Sequence, residues 1–177
     1  MRLFFAAPLE DDARARVAEI IRALAETEAD YKWVEPENLH LTLAFLGETP
    51  ESRLPGLKEA LESAARGKPP FTLVFDRLGA FDSLEHPRVL WLGAGTGARE
   101  LAALAAPLIP PEEERPFQAH LTLGRQRGAK NLSRLRQALK GLGAVNVATR
   151  VDRVELLRSR LSAAGPSYET LSSRPLK

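Results

Sequence analysis

The 177-residue chain contains no cysteine. Disulfides, zinc–thiolate centres and a cysteine nucleophile are thereby excluded, and the absence fits a reducing compartment. No segment approaches the ~18 consecutive apolar residues that suggest a membrane-crossing helix. The apolar start Met1-Arg2-Leu3-Phe4-Phe5-Ala6-Ala7-Pro8 runs into Glu10-Asp11-Asp12 without a leader-like core. A cytoplasmic protein with no membrane association is expected. There is no Gly-x-Ser-x-Gly nucleophile elbow. Gly93-Ala94-Gly95-Thr96-Gly97 lacks the lysine of a nucleotide-binding loop and reads as a strand-to-helix turn. Histidine is scarce, with three in the whole chain.

What is present describes an ordinary folded domain. Hydrophobic residues make up 44% of the sequence, enough for a sizeable core and too many for a disordered chain. The net charge is only +2, yet it is unevenly spread, because from Arg115 onward basic residues far outnumber acidic ones. A basic half suggests an anionic partner. The cations there that could meet such a partner are Arg125, Arg127, Lys130, Arg134, Arg136, Arg150, Arg153, Arg158 and Arg160. The bland alternative is a solvated face paired with acids such as Glu112 to Glu114 and Glu155.

Two of the three histidines head the same tetrapeptide, His40-Leu41-Thr42-Leu43 and His120-Leu121-Thr122-Leu123. Chance gives odds on the order of one in a thousand that three residues after one His match those after another. As strands, both units place His and Thr on one face and two leucines on the other. Around them the pattern repeats. Leu3–Ala7 predicts a strand, Ala13 to Leu24 a helix, Leu39–Leu46 the first His strand, Leu54 to Leu61 a helix, and Phe71–Phe75 a strand with a bend at Gly79. Then come Val89–Leu92, a helix over Leu101 to Leu108, the second His strand Gln118–Arg125, and a helix over Leu132 to Leu139. Last is one long strand Val145–Leu157, with a bulge near Asp152, and a short strand Tyr168–Leu171. Each half thus reads strand, helix, His strand, helix, strand. The expectation is one bilobal domain over residues 1–177, an internal duplication with halves of roughly 1–82 and 83–177 and a cleft between them.

Two imidazoles in one cleft can divide a displacement at phosphorus, one as base and the other as acid. The Thr two residues later can donate to a non-bridging phosphate oxygen. A lone His-x-Thr on a strand is ordinarily a half-exposed pair without chemistry; its duplication at equivalent places argues for a site. No metal is expected, because His86 sits in a turn-like Glu-His-Pro and His-x-Thr lacks the usual ligand spacing. Strict alternation from His120 puts Arg125 on the leucine face, unless Gly124 lets the strand turn and brings it to the cleft.

The sequence Asn38-Leu39-His40-Leu41-Thr42-Leu43-Ala44-Phe45-Leu46-Gly47, with Arg115-Pro116-Phe117-Gln118-Ala119-His120-Leu121-Thr122-Leu123-Gly124-Arg125, resembles the 2H phosphoesterase superfamily. Within it the likeness is to RNA 2′,3′-cyclic phosphodiesterases, also called 2′-5′ RNA ligases. Leu3-Phe4-Phe5-Ala6, Arg88 to Gly93 and Gly165-Pro166-Ser167-Tyr168 extend it nearly end to end. Ala119 departs from the family's usual Pro. The resemblance implies an α+β fold of two pseudo-symmetric antiparallel sheets with flanking helices around a central cleft. It implies hydrolysis of RNA 2′,3′-cyclic phosphate ends to 2′-phosphates, with reverse 2′-5′ ligation. His40 would be the proton donor, His120 the proton acceptor, and Thr42, Thr122 and Arg125 the phosphate ligands. No cofactor is implied; the partner would be RNA with a cyclic-phosphate end, tRNA fragments included, acted on by a monomer. The alternatives are a phosphodiesterase for small cyclic nucleotides or 2′-5′ oligonucleotides, and a non-catalytic RNA-binding module.

Overall fold

A computed structural model describes residues 1–163 and 165–177. The elements run β1 (Arg2–Pro8), α1 (Asp11–Ala25), β2 (Tyr31–Trp33), β3 (His40–Glu48), α2 (Leu54–Ala65), β4 (Phe71–Asp82), β5 (Pro87–Ala94), α3 (Ala98–Ala105), β6 (His120–Gln126), α4 (Leu132–Gly141), β7 (Val147–Val151), β8 (Arg153–Ser162) and β9 (Gly165–Pro175). They build an α+β structure with two antiparallel sheets, ordered β3-β1-β8-β9 and β2-β6-β5-β4-β7. Each helix turns one apolar stripe inward. In α1 this stripe is Ala13, Val17, Ile21 and Leu24, behind acids Asp11 and Asp12 that suit the positive end of the helix. In α2 it is Leu57, Leu61, Ala64 and Ala65.

The sheets do not follow the sequence halves 1–82 and 83–177. In each sheet a His strand lies beside the first strand of its own half, β3 on β1 and β6 on β5. The next strand inward comes from the other half, β8 on β1 and β4 on β5. The order of elements repeats, but the third strands of the two halves are exchanged between the sheets. The exchange also explains the long strand expected over Val145–Leu157. Val147, Thr149 and Val151 face inward on β7, and after Asp152 and Arg153 the buried residues resume at Val154 and Leu156 on β8. The slip near Asp152 is not a bulge within one strand; there the chain passes from one sheet to the other. Alternation is local and cannot distinguish these outcomes, which depend on distant pairing partners.

Two further departures bear on the site. Strand β2 has only three residues, too few to show alternation, and pairs with β6 opposite Gly124 to Gln126. The bend expected at Gly79 is absent, since β4 continues to Asp82. Gly79 is a glycine because the Trp91 indole lies against its backbone, where a Cβ would collide with the ring. The four leucines of the His units are buried in one core, at 0% exposure for Leu41, Leu121 and Leu123 and 2% for Leu43. At roughly 1.5–3 kcal/mol for each buried side chain, they fix which face of each strand turns to the cleft.

Candidate active site

The cleft is built by the same device in both lobes. On β6, Leu90 of β5 lies opposite Gly124 while Trp91 lies opposite Thr122, so Leu123 is an extra residue. On β3, Phe5 of β1 lies opposite Ala44 while Ala6 lies opposite Thr42, so Leu43 is extra. Each is a bulge three residues after the histidine, and a bulge reverses the parity of the residues beyond it. Gly124 goes to the buried face, where Trp33 packs over it and a Cβ would sit 2.7 Å from the ring. Arg125 then joins His120 and Thr122 on the cleft face. Gly124 permits this placement, while the bulge at Leu123 causes it. By the same step Phe45 joins His40 and Thr42. Two cavities of about 650 and 330 Å³ share Thr42, Phe45, His120, Thr122 and Arg125, and the smaller also holds His40. The five residues predicted from sequence are thus brought together.

The two imidazoles are held alike. Nδ1 of His40 donates to the Asn38 carbonyl at 2.7 Å, and Nδ1 of His120 donates to the Gln118 carbonyl at 2.8 Å. A carbonyl can only accept, so each Nδ1 carries a proton and each Nε2 is left as the atom that exchanges one. Their surroundings differ. The His40 ring is enclosed by Phe4 at 4.9 Å and by the edge of Tyr168 at 5.0 Å. Burial pushes its pKa below the usual histidine value, against a smaller upward pull from the Asn38 carbonyl. Asn38 is itself tied to β9, its Nδ2 donating to the Pro166 carbonyl at 3.0 Å. His120 lies against Phe81 at 5.5 Å and Trp91 at 6.3 Å.

Several residues at the site escaped sequence reasoning. Arg2 lines the smaller cavity, its guanidinium 5.1 Å from the centre of the Phe45 ring. Tyr168 lines it too, its phenol pushed up by burial against the lowering field of Arg125 and Arg2. Phe45 is 52% exposed and Phe81 36%, unusual for phenylalanine, and both line the larger cavity. The repeat held a signal for Phe45, which stands five residues after His40 as Arg125 stands five after His120. Of the nine cations expected to form an RNA-facing patch, only Arg125 lines these cavities. Arg134 pairs with Glu28, Arg153 with Asp152 and Glu155, and Arg160 with Glu169. Charge counted along the sequence does not tell which acids meet those cations in space. Arg115 forks the Glu113 carboxylate at 2.8 and 2.7 Å on the rim of the larger cavity, holding its pKa down to about 2.

The sequence matches LigT-like phosphoesterases over residues 8–91 and 95–168. The chain belongs to that family. It is 34% identical over 174 residues to an RNA 2′,3′-cyclic phosphodiesterase of Methanothermobacter thermautotrophicus, covering 95% of each chain. It is 36% identical over 165 residues to one of Aeropyrum pernix, covering 88% of this chain and 92% of the other. Among solved structures, a Thermus thermophilus protein superposes with a TM-score of 0.81 at 30% identity, covering 99% of this chain and 98% of that one. E. coli LigT in complex with 3′-AMP superposes with a TM-score of 0.77 at 29% identity, covering 99% and 97%. LigT-like architecture thus accounts for both sheets and the cleft between them. No helix among the described residues is long and apolar enough to cross a membrane.

Proposed function

We propose that the protein hydrolyses 2′,3′-cyclic phosphate ends of RNA, as the names of its relatives suggest, and that it leaves 2′-phosphates. One observation carries the reading: two histidines on one cleft, each with Nδ1 engaged by a main-chain carbonyl and Nε2 left for proton exchange. His120 Nε2 takes a proton from water as its oxygen bonds to phosphorus. The P–O3′ bond breaks, and His40 Nε2–H gives its proton to the departing 3′ oxygen. Water's oxygen ends on the 2′-phosphate, and the sugar regains its 3′ hydroxyl. Thr42, Thr122 and Arg125 stabilise the charge gathering on the non-bridging oxygens. No metal or cofactor takes part in these steps. The same displacement, with an incoming 5′ hydroxyl in place of water, would join ends through a 2′-5′ linkage, and its reverse would cleave one. Phe45 offers its ring to the base of the terminal nucleotide, an interaction that tolerates any base.

The lowered pKa of His40 favours a second assignment of roles, with His40 resting neutral as the base and His120 as the acid. In the first assignment the anionic phosphate must restore the proton to His40 on binding. Product analysis tests the activity. An RNA ending in 2′,3′-cyclic phosphate should yield a 2′-phosphate. No turnover, or a 3′-phosphate product, would remove this reading.

A further inference from the structure

A third cavity, of about 290 Å³, opens on His120 beside α3 and takes no part in the chemistry above. Arg77, Arg99, Gln118 and Trp91 wall it, around a floor that includes Gly93 and Ala119. Gly93 keeps the space between Trp91 and Arg77 open, since a Cβ there would lie 2.8 Å from the indole and 3.6 Å from Arg77 Nε. The Arg77 guanidinium is steadied by Nη2 donating to the Ala94 carbonyl at 3.1 Å. Asp76 stands 3.5 Å from Nε, and with the two side chains 67% and 46% exposed that pair does little to neutralise it. Arg99 is exposed on the first turn of α3. Two guanidiniums therefore face a small open space that meets the candidate active site at His120 and shares Phe117 and Gln118 with the larger cavity. An RNA strand whose last phosphate lies at the histidines carries its preceding phosphate across the terminal sugar. The cavity offers that phosphate a cationic seat.

Resting on the RNA reading above, we propose that the Arg77–Arg99 cavity binds the backbone phosphate immediately 5′ of the nucleotide that reacts. The protein would then distinguish an RNA strand from a mononucleotide by engaging two phosphates in place of one. The strand also gains a direction, since it leaves the cleft past His120 and over α3.

The test measures binding, so it stands whether or not RNA is turned over. An RNA tetranucleotide ending in a 2′-phosphate and a nucleoside 2′-monophosphate are titrated by calorimetry over a salt series. The wild type should prefer the tetranucleotide. The double variant R77A/R99A should lose about tenfold of that preference, and its tetranucleotide salt slope should become shallower by about 0.7, the share of one single-strand phosphate. R77K/R99K, which keeps both charges, should retain most of the slope. R99A alone, at an exposed helix position, gives part of the loss without risk to the fold. An unchanged preference and slope in R77A/R99A, or a wild type without preference for the tetranucleotide, would overturn the proposal. Tight tetranucleotide binding without turnover of the cyclic-phosphate RNA would instead sink the phosphodiesterase reading and leave this one standing.

Discussion

Placing one methyl group at Gly79 should disturb both stability and turnover, because it displaces Trp91, whose ring also neighbours His120. A Cβ on Gly79 would meet three carbons of the indole, with Cζ3 at 2.7 Å. Cη2 and Cζ2 would lie closer still, and carbon contacts settle near 3.5–4.0 Å, so the ring must lift by roughly 1–2 Å. Lifting presses it on Phe81, 5.3 Å away, and on His120, 6.3 Å away. Overpacking of this kind costs about 1–3 kcal/mol. At about 2–4 °C per kcal/mol for a chain of this size, Gly79→Ala should melt roughly 2–12 °C lower. Displacing an imidazole by about 1 Å can cost on the order of 10²-fold in rate. Trp91 Nε1 has no hydrogen-bond partner among the described residues, so truncating the indole forfeits none. G79A/W91L should therefore be more stable than the two single effects predict, with a coupling of about 0.5–3 kcal/mol. Thermal melts of the four proteins and single-turnover rates on cyclic-phosphate RNA measure this. If Gly79→Ala melts within about 1 °C of wild type and reacts at the wild-type rate, Trp91 does not hold His120 in place.

His40→Ala and His120→Ala should each lower turnover by about 10²- to 10⁴-fold, and the double variant by less than the product, because the pair acts as one unit; a single variant with near-wild-type rate and intact folding would refute the pair. Thr42→Val and Thr122→Val should cost less, on the order of 10- to 10³-fold, with little change in melting temperature; equal losses in both quantities would make the threonines structural. Arg125→Ala should raise KM and slow the reaction while the circular dichroism spectrum stays unchanged, and unaltered kinetics would leave Arg125 without a role at the phosphate. Stability should also fall with acid through His40. Its folded pKa is below the unfolded value of about 6.5, so the unfolded chain binds the proton more readily and stability drops as pH falls below about 6.5 toward the lowered value. His40→Gln should flatten that limb in denaturant titrations, and an identical slope in both proteins would contradict the burial argument.

The residues that carry the proposed chemistry were legible because the chain states them twice. His40 and His120, with their threonines, stand out in a sequence holding only three histidines, and period-two alternation places the leucines inward. What could not be read depends on pairing between distant segments. Nothing local at Asp152 tells a bulged strand from a passage between sheets, and three-residue β2 is too short to show a pattern. Arg125 lies between these cases. Alternation alone buries it, yet the register on β5 requires one extra residue at Leu123 and turns it outward. The first unit has the same extra residue at Leu43, so its fifth position after the histidine turns outward as well, and there the chain places Phe45. Equivalent positions thus present a guanidinium from one lobe and an aromatic face from the other. A symmetric cleft would accept a symmetric ligand in either direction. A nucleotide has a phosphate at one end and a base at the other, and in the proposed reaction the Arg125–Phe45 difference would give the cleft a matching direction.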